Sequence, residues 1–325
     1  MKAIVARRFG APEEVLEIAE VERPRPGMGE VLLRVCASSV NPADLLGLAG
    51  RPYVMRPVMF GWRKPKYPIP GHDAAGIVAE VGAGVTTFRP GDEVYGEVPG
   101  GAYAEYVTAS ADKLAAKPAS VGFAEAAAVP IAGVTALQGI RDRGEVDAGQ
   151  RVLINGASGG VGTFAVQLAK ARGAHVTGVC GSRNIEVVRA AGADEVIDYA
   201  VTDCTRGPDR YDVVFDLAGN HPSSAYRRVL APGGTYVSGS GKPGGPVLGP
   251  LPFILRVLLG GFRPGPRMRV LAAAPNPTDL TELAELIDAG KVTPIIDRTY
   301  PLADAPAALA RRAAGEGHGK TIITC

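Results

Sequence analysis

The chain lacks the features that would assign it to a membrane, a nucleic acid or a disulfide-bonded exterior. Its 325 residues carry a formal charge of only +2, so there is no bulk attraction for phosphate backbones or anionic lipid. The four cysteines, Cys36, Cys180, Cys204 and Cys325, are scattered without C-x-x-C spacing. Free thiols in a reducing cytoplasm suit that pattern better than disulfides do. The opening residues, MKAIVARRFG, run straight into alternating strand-like sequence with no signal-peptide core. The longest apolar stretch, 247–262, is broken by Pro250, Pro252 and Arg256. It falls short of the roughly 20 apolar residues a spanning helix needs. No internal repeat or low-complexity tract is evident. The expectation is a cytoplasmic protein with no membrane or nucleic-acid partner.

What is present divides in two. The chain is too long for one typical core and predicts two domains. Residues 1–120 read as all-β, with strands expected at 2–8, 15–21, 30–40, 75–81, 93–96 and 102–107. Turns at Gly10-Ala11-Pro12, Pro24-Arg25-Pro26-Gly27 and Pro90-Gly91-Asp92 separate several of them. Beyond Phe123 helices alternate with strands at 151–155, 174–179, 194–198, 212–217 and 234–238. That βαβ rhythm belongs to a doubly wound parallel sheet in an α/β fold. A helix at 279–289 and a strand at 292–296 follow, then a short helix and a strand at 320–324. The domains are therefore expected at 1–122, rejoined by 299–325, and at 123–298.

The most informative segment is RVLINGASGGVGTFAVQLAKARG, residues 151–173. An apolar strand runs directly into Gly156, Ala157, Ser158, Gly159, Gly160, Val161 and Gly162. Val161, Ala165, Leu168 and Ala169 then recur at helical spacing until Gly173. Strand, glycine turn and helix in that order bring bare N–H groups and the positive end of a helix dipole to one point, where a pyrophosphate binds well. In this context A-x-x-G-x-x-G is a Rossmann dinucleotide signature. The ligand lies across the carboxyl ends of the strands, which adds Leu217, Ala218, Gly219, Ser238, Gly239 and Ser240 as candidate cofactor contacts.

An NAD site would place Asp or Glu about 20 residues past the glycines to take the ribose hydroxyls. Here the second strand ends in Gly181, Ser182, Arg183 and Asn184, with no carboxylate to repel a 2′-phosphate. Ser182 and Arg183 could bind one, and Tyr199 is a second candidate for that pocket. NADPH is the expected cofactor.

Over nearly its whole length the sequence resembles the medium-chain dehydrogenase/reductase superfamily, in its zinc-independent quinone oxidoreductase branch. The resemblance is carried by Val40-Asn41-Pro42-Ala43-Asp44, Pro70-Gly71-His72-Asp73-Ala74-Ala75-Gly76, Arg89-Pro90-Gly91-Asp92, Gly101-Ala102-Tyr103-Ala104-Glu105-Tyr106, the glycine cluster and Ala191-Gly192-Ala193-Asp194-Glu195-Val196-Ile197-Asp198-Tyr199. It implies a GroES-like β domain beside the Rossmann domain, and a homodimer. It further implies that Asn41 and Asp44 face the nicotinamide end and that Asn41 donates to the substrate oxygen. Tyr53 stands where related reductases carry a cleft tyrosine able to donate a proton. By the same resemblance Thr135 touches the nicotinamide side and Lys320 a cofactor phosphate. The branch commonly has lysine where this chain has Asn184.

His72 resembles the histidine of zinc alcohol dehydrogenases, but a catalytic zinc wants three protein ligands and an open site. The family's first cysteine aligns with Asn41, its later one falls in 129–135 where there is none, and no four-cysteine lobe is present. No metal is expected. Without that Lewis acid the substrate must supply its own electron sink, as quinones and α,β-unsaturated carbonyls do. Two segments, 51–67 and 247–262 with Arg263, Arg267 and Arg269 after it, are expected to roof a lipophilic cleft with a cationic rim. A 2-enoyl thioester reductase and an NADPH-binding sensor with little turnover stay open beside the quinone or enone reductase.

Overall fold

The computed structural model describes residues 1–239, 245–261 and 265–325. Ser240 and Arg263 lie outside those residues, as does Phe262. The chain forms two compact units, one of Met1–Ile131, Pro275–Ala289 and Pro294–Cys325, the other of Ala132–Ala274 and Gly290–Thr293.

The first unit is built on a seven-stranded sheet. Its strands run Ile296–Pro301, Lys320–Thr324, Glu30–Ser39, Asp73–Val81, Glu93–Glu97 and Leu114–Ala116 across the sheet, with Tyr106–Ser110 also paired to Glu30–Ser39. A separate hairpin pairs Lys2–Ala6 with Leu16–Glu20. Two apolar clusters hold the unit: Val31, Leu33, Val78, Val94 and Leu114 in one, Ile4, Val40, Leu48, Tyr103, Leu309 and Ile323 in the other. Lys320–Thr324 carries Ile323 into this core while pairing antiparallel with Glu30–Ser39.

Two α-helices interrupt the expected all-β reading, the single turn Pro12–Val15 and the longer Pro42–Ala49. Pro42–Ala49 starts after Asn41, with Pro42 at its first position and Gly50 closing it in the left-handed region at φ 56°. Asp44 at the third position accepts from the Asn41 N–H at 2.7 Å, half of a capping box.

The second unit contains six parallel strands: β1 Arg151–Asn155, β2 His175–Cys180, β3 Glu195–Asp198, β4 Tyr211–Asp216, β5 Leu230–Ser238 and β6 Arg267–Val270. Their order is 3-2-1-4-5-6, the Rossmann arrangement, whose switch point lies between β1 and β4. β1 and β2 are buried along nearly their whole length, as expected of parallel strands covered on both faces. β6 is an addition to the five strands expected from sequence. Its residues, RMRV, alternate basic and apolar over only four positions. Residues 292–295 form no strand, and Ile296–Pro301 instead joins the first unit's sheet. No helix among the described residues is long and apolar enough to cross a membrane.

Candidate functional site

In the second unit β1 ends at Asn155 and the chain turns at Gly156 with φ +88°. The N–H groups of Gly156 and Ala157 donate to Val179 O at 3.1 and 3.0 Å, pinning the turn to β2. The helix Gly160–Ala171 follows with Gly159 as its cap residue, and Thr163 N donates to Gly159 O at 2.9 Å. The N–H groups of Gly160, Val161 and Gly162 thus have no acceptor inside the helix. Gly162 is required for the close approach of helix and turn: a Cβ there would stand 2.1 Å from Gly156 O and 2.7 Å from the Ala157 carbonyl carbon. Leu217 and Ala218 border the turn, 3.4 Å from a Cβ placed on Gly156. This cradle fits a dinucleotide pyrophosphate.

At the end of β2 the structure brings Asn184 to Ser158, Nδ2 donating to Oγ at 3.3 Å. The Tyr199 hydroxyl lies against Gly181. Arg183 is exposed and makes no hydrogen bond or ion pair with another described residue. Ser182 donates its hydroxyl to Asp198 Oδ2 at 2.5 Å. That hydrogen bond, with one from Ala200 N, holds the Asp198 carboxyl below its ordinary value. A carboxylate therefore does stand at this edge, supplied by β3 and not by β2; the Asp198-Tyr199 pair at the end of β3 was its sequence signal. Thr135 is half-buried in the helix Pro130–Gln138, with no hydrogen bond to the glycine turn.

Behind the turn is a buried network that sequence reasoning missed. Asn155 Nδ2 lies 2.8 Å from Asp216 Oδ1, 2.8 Å from Asn220 Oδ1 and 2.7 Å from the Tyr226 hydroxyl. Tyr236 donates to Asp216 Oδ2 at 2.8 Å and Gly219 N to Oδ1 at 2.9 Å. Gly239 N donates to Asp216 O at 2.9 Å. Burial, reinforced by the Asp216 charge, pushes both tyrosines far above the ordinary phenol value. The network ties the carboxyl ends of β1, β4 and β5 together where Leu217, Ala218, Gly219, Ser238 and Gly239 sit.

The first unit has a second polar cluster, set between the Pro42–Ala49 helix and the sheet. Asp44 accepts four bonds: Asn41 N at 2.7 Å, the Tyr103 hydroxyl at 2.9 Å, Gly71 N at 3.2 Å and His72 Nδ1 at 2.6 Å. Asp73 accepts from Ile131 N at 3.0 Å, from Asn41 Nδ2 at 2.8 Å and from the Ser39 hydroxyl. Lys320, 3% exposed, donates to Asn41 Oδ1 at 2.7 Å and to Asp73 Oδ2 at 3.2 Å. Burial draws this ammonium below the ordinary lysine value against the pull of Asp73.

Three expectations change here. The Asn41 amide is spent on Asp73, the Ser39 carbonyl and Lys320, so it has no free hydrogen for a substrate oxygen. Lys320 is buried among carboxylate and amide and does not project as a phosphate ligand. Tyr53 is 41% exposed, its ring flanked by the Arg56 and Arg51 guanidinium groups at 4.7 and 5.8 Å. It makes no hydrogen bond to a described residue of the polar cluster and does not line the neighbouring cavity.

That cavity, about 280 Å³, is lined by Ala43, Gly47, Met59, Phe60, Tyr67 and His72 among others. Met59, Phe60 and Tyr67 of the 51–67 segment thus wall a largely apolar space. In the other segment the helix Leu251–Gly261 exposes Leu251, Leu255, Leu258 and Leu259. Glu97, the cross-strand partner of Asp73, is half-buried. Burial first, then Asp73, pushes its carboxyl up to about 7.

A GroES-like sheet and a 3-2-1-4-5-6 parallel sheet with a glycine turn define a nicotinamide-dependent dehydrogenase or reductase. Comparison with known proteins agrees. Residues 27–119 match the alcohol dehydrogenase GroES-like domain and 191–323 the zinc-binding dehydrogenase family. A chloroplast envelope quinone oxidoreductase homolog of Arabidopsis thaliana is 35% identical, covering 99% of this chain and 98% of its own. A chloroplastic NADPH-dependent alkenal/one oxidoreductase of the same plant is 32% identical over 93% of this chain and 73% of its own. The solved quinone oxidoreductase from Coxiella burnetii is 30% identical with a TM-score of 0.86, covering 100% of this chain and 99% of its own. The chain belongs to the quinone oxidoreductase branch of the medium-chain dehydrogenase/reductase superfamily.

The zinc in the matched family's description finds no fitting donor set around His72. Asn41 offers a neutral amide already bonded to Lys320, both oxygens of Asp73 are taken, and an ammonium supplies the positive charge a cation would bring. Among the described residues one other group, Asp203, Cys204 and His221, gathers potential ligand atoms within 4.8 Å. There Thr205 occupies Asp203 Oδ1, and burial pushes the Cys204 thiol up to about 11.

Proposed function

We propose that this chain is a zinc-independent, NADPH-dependent reductase of quinones or α,β-unsaturated carbonyls. The observation that supports the reading is the Lys320–Asn41–Asp73 arrangement, whose ammonium and occupied oxygens suit a site that works without a zinc ion to stabilise an alkoxide. Acceptors that delocalise the incoming charge need none. A bound reduced nicotinamide supplies the hydride. The glycine turn would hold its pyrophosphate, while Met59, Phe60 and Tyr67 would orient a flat acceptor and exclude water. The preference for NADPH is supported by Arg183 alone, exposed next to Asn184 and with no hydrogen bond or ion pair to another described residue, since at the same edge the Asp198 carboxylate takes the Ser182 hydroxyl. Arg183→Ala should lower NADPH affinity about tenfold with little change for NADH, as read by cofactor fluorescence titration.

The same reading includes a homodimer, for which β6 is the open edge of the parallel sheet and the exposed leucines of Leu251–Gly261 lie on the helix packed against it. The four free cysteines suit a reducing compartment such as the cytoplasm. The test follows NADPH and NADH oxidation by chelator-treated protein offered a 1,4-naphthoquinone, a 2-alkenal or a crotonyl thioester. Chelator-resistant, NADPH-selective turnover of the first or second is expected. Preference for the thioester, or loss of activity on chelation, would overturn the reading.

A further inference from the structure

Asn41 N, Gly71 N and the Tyr103 hydroxyl already donate to the Asp44 carboxyl, and the tautomer that completes this set has His72 presenting Nδ1 to it as N–H. The Asp44 side chain is wholly buried whereas that of His72 is 24% exposed. With Nδ1 engaged on Asp44, Nε2 is the ring nitrogen that His72 has left to offer, and His72 lines the 280 Å³ cavity. A second ring proton sits well in this cluster: Asp44 and Asp73 bring two negative charges, Lys320 one positive, and an imidazolium balances them. The two groups expected to donate to substrate are engaged elsewhere, Asn41 on Asp73 and Tyr53 against arginines, and the buried Tyr103 hydroxyl is taken by Asp44.

We propose that His72 is the proton donor to the reduced substrate, with Asp44 as its positioning residue, and that this pairing suits the site to α,β-unsaturated aldehydes and ketones. The proposal rests on the reductase reading above. When hydride reaches the β-carbon of an enone, the displaced electron pair settles on the carbonyl oxygen as an enolate. The His72 Nε2–H bond then breaks and an O–H bond forms at that oxygen. His72 is left neutral, Asp44 stays ionised, and water returns a proton to Nε2. A quinone gains aromaticity on reduction and depends less on this proton.

The charged groups around His72 come from several elements. They are Asp44 on the Pro42–Ala49 helix, Asp73 next to it in the chain, Glu97 on the neighbouring strand and Lys66 on the cavity wall. Burial opposes the imidazolium, but Asp44, Asp73 and Glu97 outweigh it and raise His72 above the ordinary 6.5.

Two measurements test the proposal. In NMR titration of the cofactor-free protein, with His72 assigned by its absence from H72Q, the imidazole should titrate above 6.5 and fall in D44N. If D44N does not fold, the wild-type titration decides. With a 2-alkenal, wild-type kcat should decline as pH rises through the His72 pKa. H72Q should lose about 100-fold in kcat at neutral pH, with KM little changed and that pH dependence gone; the loss with a 1,4-naphthoquinone should be far smaller. A His72 titrating at or below 6.5, equal losses with both acceptors, or the same loss in Tyr67→Phe would overturn the proposal. A wild-type protein that reduces neither acceptor would refute the reductase reading, and the titration alone would then judge the dyad.

Discussion

Lys320 tests how far the buried cluster supports the first unit. Replacing it with methionine keeps most of the stem's packing and removes only the ammonium. Asp73, fully buried, then keeps Ser39, Asn41 and Ile131 as donors but has no cation, and Asn41 Oδ1 has no donor. Breaking a buried pair from one side costs about 3–5 kcal/mol, because the remaining charge stays desolvated. For a unit of this size each kcal/mol lowers the midpoint by about 2–4 °C, so Lys320→Met should melt about 6–20 °C below wild type in scanning calorimetry. Adding Asp73→Asn neutralises the stranded charge and should recover more than half of the loss, since a pair removed together costs far less than one partner removed alone. A single variant within 1 kcal/mol of wild type, or a double variant at the sum of its singles, would refute the account of an ammonium that offsets Asp73.

Two further outcomes follow from the geometry. Gly162→Ala drives a methyl into Gly156 O and the Ala157 carbonyl, both backbone. Turn and helix must separate, so stability should fall by about 1–3 kcal/mol and dinucleotide affinity by at least about tenfold in a fluorescence titration; affinity within twofold of wild type would contradict the cradle. Glu97, raised from 4.5 to about 7 in the folded chain, holds its proton more tightly folded than unfolded. It therefore draws stability down as pH rises from 4.5 through 7. Glu97→Gln should leave urea stability unchanged near pH 4 and increase it at pH 8 by up to about 3 kcal/mol; an equal effect at both pH values would show that Glu97 does not carry the shift.

The legible parts of this protein were local in sequence. Strand, glycine turn and helix lie within residues 151–171, so the pattern revealed both the fold and the pyrophosphate cradle. The Pro42–Ala49 helix was equally local, and Asn41-Pro42 with Asp44 at the third position was its readable signal, passed over amid strand-like neighbours. Contacts between distant residues left no such trace. Lys320 meets Asp73 across 247 positions, and His72 meets Asp44 across 28. Nothing near residue 320 in the sequence says that its charge will be buried, and the resemblance pointed instead to a cofactor phosphate. Ser182 and Asp198 belong to successive βα steps, and only the parallel pairing of β2 with β3 brings them together.

The insertion of Lys320–Thr324 against Glu30–Ser39 also bears on synthesis. A ribosome delivers Asn41, Asp44 and Asp73 early, whereas the ammonium that balances them comes after the whole second unit. Until residue 320 emerges, the nascent first unit carries two carboxylates at a site meant to be dry. It should stay loose and hydrated there, open to chaperones and proteases. The second unit holds its own parallel sheet almost entirely within Ala132–Ala274 and can consolidate first, reversing the order in which the two begin to appear.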